Sequence, residues 1–304
     1  MKLRYHTGQN FGDALNPMIL DEVFKGLLND SDEVELLGIG SILGLKRPSE
    51  SCRKFVVFSS GYAAGDSSTY GELPEITDIY DVICVRGPLT ASILGLSADL
   101  AISDGALLLP DVIPLDEVPK EYEYSYMPHA GSLNMYDGWQ ELVESVGIHF
   151  IDPRQEPVVV FSELMKTELL LTEAMHGAIV SDTLRIPWIP VKTAKTVNEF
   201  KWKDYLHSVN LEYNPNVLPC LYSKTFLKSI FAGKLGRVKL GFLTDLAVLL
   251  YWIIQCGRVW LVKKSFNRLK RAKCYMCEEN ILQLRKKQLM AAAQQWIQNY
   301  KNIK

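Results

Sequence analysis

Residues 162–190 read SELMKTELLLTEAMHGAIVSDTLRIPWIP. An acid, a histidine, a second acid and an arginine (Glu173, His176, Asp182 and Arg185) stand here in a largely apolar surround. The apolar run before Glu173 predicts a strand and the stretch after it a helix, with His176 at the junction and a further strand from Trp188. Glu173 and His176 are three apart, so on a helix they share a face, and a carboxylate beside an imidazole orients it and favours its charged form. Asp182 and Arg185 are also three apart, and the plainest role for them is to pair with each other.

The same alternation extends in both directions. MKLRYHTG (1–8) predicts a first strand, and NFGDALNPMILDEVFKGLL (10–28) a glycine-containing turn and a helix. VELLGIGSIL (34–43) is a short apolar run with glycines, and KFVVFSSGY (54–62) predicts a buried strand ending in a Ser/Gly loop. DVICVRGPLTASILGL (81–96) predicts a strand, a turn and a helix starting near Pro88, and LAISDGALLLP (100–110) another strand with a loop at its end. YSYMPHAG, GIHFIDP, VVVFSELM and WIPVKTA continue the pattern beyond a charged, proline-containing linker, DEVPKEYEY (116–124). Strands alternating with helices predict parallel sheets covered on both faces. The expected architecture is α/β: two Rossmann-like doubly wound domains, 1–120 and 121–213, facing a cleft at the carboxyl ends of their strands. A basic helical extension, 214–304, follows.

Composition narrows the class. Apolar residues are 48% and charged residues 22% of 304, enough for sizeable cores and against global disorder. The first residues contain no apolar segment of a secretory signal. Six scattered cysteines suit a reducing cytosol, and Cys274 and Cys277, at CxxC spacing, read as ordinary thiols on a helix rather than a zinc site. The net charge of −2 hides an asymmetry: residues 221–304 hold 17 basic and three acidic residues, and residues 1–220 hold 16 and 32. A basic tail on an acidic body points to an anionic surface.

Several residues could carry chemistry. Glycines in TGQNFGD and GIGSIL, with Gly40 and Ser41 among them, sit where strands turn into helices, a place that serves a tight turn or holds an anion on backbone N–H groups. Asp13 is either an N-cap or a crevice carboxylate that handles a hydroxyl proton. Arg86 closes a buried strand, and its planar fork suits a carboxylate or phosphate. His129 stands at a strand-to-helix junction like His176, and Gly177 would admit a ligand close to the backbone. His6, His149 and His207 read as structural. No GxGxxG, P-loop, HExxH or nucleophile elbow occurs.

NFGDALNPMIL, GIGSIL, VRGPLT, SDGALLLP, MPHAG and EAMHGAIVSDTLRIPW, in this order, resemble the polysaccharide pyruvyltransferase family, most of all its exopolysaccharide branch, over about residues 1–195. The resemblance implies a fold like the GT-B glycosyltransferases, phosphoenolpyruvate as donor and a sugar, often on a lipid carrier, as acceptor. The product would be a cyclic pyruvate ketal, with phosphate released and neither metal nor cofactor required. Carried onto this chain, it makes His176, held by Glu173, the general acid and Asp13 a base for the sugar hydroxyl. It places His129, Arg86 and Arg185 on the donor. The family's arginine two residues before the motif histidine is Ala174 here. A nucleotide-sugar glycosyltransferase of the same fold class and a non-catalytic scaffold of a polysaccharide assembly complex remain alternatives.

In the tail, Leu246–Ile254 is apolar for nine residues before Gln255 and Arg258. That is too short for a spanning helix of about 20 apolar residues. With Trp252, Trp260 and Phe266 as anchors and Lys263, Lys264, Arg268, Lys270, Arg271 and Lys273 as charge, residues 240–273 predict an interfacial helix on an anionic membrane. The location expected is cytoplasmic, peripheral at the inner face of the cell membrane. The alternative is a basic face packed on the acidic body. No module for nucleic acid accompanies the charge.

Overall fold

The computed structural model describes residues 1–44, 52–66, 70–113, 118–194, 196–235 and 241–303. Two parallel sheets form its frame. The first has β1 (Lys2–Arg4), β2 (Val34–Leu37), β3 (Lys54–Ser60) and β4 (Tyr80–Val85) in the order 1-2-3-4. The second has β5 (Tyr122–Met127), β6 (His149–Phe150), β7 (Thr167–Thr172), β8 (Trp188–Lys192) and β9 (Asn216–Val217) in the order 6-5-7-8-9. The helices are α1 (Phe11–Val23), α2 (Pro88–Ile93), α3 (Leu109–Val112), α4 (Ala130–Met135), α5 (Trp139–Glu144), α6 (Pro157–Met165), α7 (Met175–Thr183), α8 (Glu199–Ser208), α9 (Lys224–Leu235), α10 (Gly241–Leu269) and α11 (Glu279–Ile303).

The two sheets differ in winding. In the second, the chain reverses direction of travel between β5 and β7, the switch point at which doubly wound sheets open a crevice. The first adds each strand beside the last, so it lacks the expected reversal. The predicted strand in LAISDGALLLP is reduced to one bridge, Ala101 to Val85, followed by a 3-10 turn over Gly105–Leu108. Asp104 starts that turn by accepting the Ala106 N–H, a local bond that competes with extended backbone.

The largest core lies between the sheets. It joins Leu15, Ile19 and Leu20 of α1 and Phe58 of β3 to Ala178 and Ile179 of α7 and Trp188 of β8. Leu15, Ile19, Leu20 and Val23 recur at helical spacing, which is why α1 buries one stripe. Pro17 inside α1 cannot donate to the Asp13 carbonyl, and the Asn16 side-chain amide donates there instead, at 3.0 Å. Asn16 also bonds the backbone of Ile39 in both directions, tying α1 to the loop after β2.

The basic extension divides in two. α11 returns to the first half: Leu282, Leu289 and Ala293 enter the shared core, Trp296 Nε1 donates to Asp81 and Lys286 pairs with Asp111. α10 docks on the second sheet through Val262, Phe266 and Leu269. Phe266 is therefore core rather than a membrane anchor. Cys274 and Cys277 lie in the link between these helices, not on a helix: Tyr275 pairs with Trp188 in both directions there. Among the described residues no helix is long and apolar enough to cross a membrane.

Candidate functional site

β5 and β7 are neighbours at the switch point, and each runs directly into a helix. β5 gives way at Met127 to His129, the N-cap of α4; β7 gives way at Thr172 to Glu173, Ala174 and α7. Opposite them stands the start of α1, with Asn10, Phe11 and Gly12. These segments and Lys201, from the first turn of α8, line an open cleft. A second hollow shares Asn10, His176 and Lys201 and continues to Asp13, Gly40, Ser41 and Tyr70. Neither α1 nor α7 has a side chain capping its N-terminus, so both present backbone donors and the positive end of the helix dipole to this space.

His176 is 8% exposed. Its Nε2 stands 3.6 Å from Oδ2 of the fully buried Asp104. Gly12 lies flat against the ring; a Cβ there would collide with Nδ1. The carboxylate beside His176 is thus Asp104, not Glu173 as the sequence spacing suggested. Glu173 sits before the first turn of α7 and turns away. It accepts from the Thr193 N–H and hydroxyl with one oxygen, and from the Tyr126 hydroxyl and His129 N–H with the other. Glu173 is a brace that fixes the strand ends.

His129 caps α4 by accepting the Gly131 N–H on Nδ1, at 3.0 Å. Burial, helped by the nearby Lys201 ammonium, lowers its pKa to about 4, so the ring is neutral at pH 7 and carries its proton on Nε2. Lys201 donates to the Tyr70 hydroxyl at 3.1 Å and lies 4.5 Å from the centre of that ring. Among the described residues no carboxylate pairs with it, leaving its charge for a ligand. Asp13 accepts from the Asn10 amide at 2.7 Å on the cleft wall. Gly40, beside Asp13, has φ of +117°, a conformation that favours glycine.

Three expected site residues take no part in holding a ligand, and the expected pairing of Asp182 with Arg185 does not form. Arg86 is fully buried and its guanidinium is spent: it donates to Asp204 at 3.0 Å, Ser41 Oγ at 2.8 Å and the Tyr62 carbonyl at 2.7 Å. It is a tie between β4 and α8, each of its three nitrogens bonded within the protein and none exposed to a ligand, and Ser41 reaches the hollow as its acceptor. Arg185 leaves the cleft altogether, donating to the Cys277 carbonyl and pairing with Glu279. Asp182 does not pair with its side chain; it accepts from Trp188 Nε1, the Tyr205 hydroxyl and the Cys277 N–H. Gly177 makes room for Met127 and Thr172, so its missing side chain serves packing of α7 on β5 and β7 rather than ligand approach.

Sequence reasoning passed over Asn10, Asp104 and Lys201. Asp104 stood inside the quoted SDGALLLP and could have been singled out by its place beside a turn glycine. Lys201 carries no local signal, because only folding brings α8 against the switch point.

Fold and cleft together define an α/β protein with an anion-receptive crevice at the switch point of a parallel sheet. No family model matches the chain. It is 34% identical over 223 residues to the succinoglycan biosynthesis protein ExoV of Rhizobium meliloti (strain 1021), covering 72% of this chain and 68% of that protein. The chain belongs to the exopolysaccharide branch of the polysaccharide pyruvyltransferase family. A functionally uncharacterised protein of Klebsiella pneumoniae subsp. pneumoniae NTUH-K2044 matches with a TM-score of 0.40 at 15% identity, over 66% of this chain and 86% of that one, too slight a likeness to bear on function.

Proposed function

We propose that this protein transfers the pyruvyl group of phosphoenolpyruvate to a hexose of a polysaccharide precursor, forming a cyclic ketal. One observation carries the reading: the N-termini of α1 and α7, free of side-chain caps, open onto the same cleft as Lys201, beside the imidazoles of His176 and His129. Fixed backbone donors and one ammonium suit a small ligand bearing a carboxylate and a phosphate. The two sheets act as the lobes of a GT-B-like arrangement, with this cleft between them.

In the reaction the enol methylene of the donor takes a proton from His176 and becomes the ketal methyl group. The resulting oxocarbenium-like carbon is attacked by one sugar hydroxyl. Its C–O bond to phosphate then breaks, and a second hydroxyl of the same hexose closes the ring. The two hydroxyl protons balance the one placed on carbon and the one leaving with phosphate; Asp13 receives them in turn. His129 is neutral, so it donates to the phosphate through Nε2–H rather than as a charge. Nothing is oxidised or reduced.

The acceptor is lipid-linked in this reading, and α10 holds the enzyme at the anionic cytoplasmic face of the membrane. Leu249, Leu250, Ile253, Ile254, Trp260 and Leu261 are exposed on the side of α10 away from Val262 and Phe266. Lys264 and Arg268 continue that same exposed side. Trp252 is half-covered beneath Lys224 and contributes less than the sequence suggested.

Thermal unfolding with millimolar phosphoenolpyruvate, a nucleotide-sugar or buffer tests the donor. The melting temperature should rise with phosphoenolpyruvate alone. A rise confined to the nucleotide-sugar would replace this reading with glycosyl transfer.

A further inference from the structure

Asp104 and His176 come from different halves of the fold. Asp104 stands at the head of the 3-10 turn after the Ala101 bridge, His176 in the first turn of α7. Each offers one buried polar atom with no hydrogen-bond partner, Asp104 Oδ2 and His176 Nε2, and these two atoms face each other at 3.6 Å. An unpaired buried donor or acceptor is costly, so the arrangement favours a proton between them. The other Asp104 oxygen is occupied by the Ala106 N–H, which fixes the carboxylate's direction. On its far side the ring is pinned by Gly12, whose missing side chain leaves Nδ1 against the start of α1 and the cleft. Burial alone would push the Asp104 carboxyl up, but the facing imidazole, the Ala106 N–H and the nearby Arg86 outweigh it and hold it below the usual carboxylate range. Asp104 is therefore a carboxylate at pH 7, an acceptor only.

We infer that Asp104 is a positioning residue that fixes the tautomer of His176, holding the proton of the neutral ring on Nε2 and presenting Nδ1 to the cleft as the atom that exchanges protons with substrate. The buried carboxylate then holds the ring in one orientation through the proton exchange, much as an acid behind a catalytic histidine does. Among the described residues, the other titratable groups that line the cleft, namely Asp13, Glu173, His6, His129, Tyr70 and Lys201, hold neither nitrogen. Gly12 is the second part of the device, because any side chain there would drive the ring off Asp104. The role of Nδ1 in proton delivery rests on the pyruvyl-transfer reading; the tautomer does not.

The test is nitrogen NMR of the full-length protein with labelled histidine, the His176 signals identified by their loss in His176→Gln. In wild type, Nε2 should be protonated and Nδ1 bare in the neutral ring. Asp104→Asn keeps an N-cap of equal quality and should stay folded. In it and in Gly12→Ala the neutral ring should become a mixture of tautomers. Turnover with phosphoenolpyruvate should fall at least tenfold in both variants, with the donor KM of Asp104→Asn changed less than twofold. A wild-type ring protonated on Nδ1, or one whose tautomer is untouched by Asp104→Asn, overturns the inference. The expected tautomer without any turnover of phosphoenolpyruvate by wild type would leave it standing and sink the reaction instead.

Discussion

Lys201 and Arg86 exchange the roles that their local sequences suggest. Arg86 ends a buried strand, as an anion clamp should, yet it is fully buried and each of its nitrogens donates within the protein. Lys201 sits on an ordinary helix and has the available charge at the cleft. Replacing Lys201 by Met should weaken phosphoenolpyruvate binding by about 1.5–3 kcal/mol, roughly tenfold to a hundredfold, with stability near wild type; isothermal titration reads it. Replacing Arg86 by Met should do the reverse. It strands the buried Asp204 carboxylate, which also accepts from the Thr90 N–H and hydroxyl. A cost of about 3–5 kcal/mol is expected in denaturant unfolding, with donor affinity of the folded fraction unchanged.

At the scale of elements, the junctions after β5 and β7 are held by a small number of buried polar groups. Glu173 joins both junctions to the end of β8, and Asp182 joins α7, β8 and α8 to the link before α11. His129 adds a pH dependence. Its pKa in the folded state, about 4, lies below the unfolded value near 6.5. As pH falls from about 6.5 towards 4 the unfolded chain takes up this proton first, so the contribution of His129 to stability is lost across that window and is fully present above it. Melting temperatures measured from pH 7 to 4 should drop less steeply in His129→Asn, which keeps the cap of α4 without titrating. An identical slope in both proteins would assign the acid sensitivity to other groups.

The whole molecule is laced across its two sheets by a common core, by the Arg86–Asp204 pair and by α11, whose tryptophan and lysine reach Asp81 and Asp111. The basic charge of the extension is accordingly shared between two tasks. Part of it meets the acidic body through α11, and part stays on the open side of α10. Binding to phosphatidylglycerol vesicles should be strong at low salt, weak to phosphatidylcholine, and reduced roughly a hundredfold when Lys264, Arg268 and Arg271 become Gln, at about 1 kcal/mol for each charge. Dimerisation that hides Ile253 and Ile254, with no vesicle binding, would show that a second copy covers this face.

Much of this was legible in the sequence. The apolar runs and glycine turns set out parallel α/β elements, because burial on both faces of a sheet demands uninterrupted apolar strands. The histidines at the two junctions marked the cleft, since a strand end at a switch point is where a polar side chain meets open space. Local spacing failed wherever a partner came from far along the chain. Glu173 and His176 are three residues apart, yet one turns to Thr193 and the other to Asp104, because the start of α7 points their side chains at different neighbours. The chain alone determined most of its strands and helices and the histidine of its motif. Only tertiary structure decided which carboxylate faces that histidine, which cation serves the cleft and which side of α10 stays open, because each of these depends on segments that become neighbours only when both sheets pack on one core.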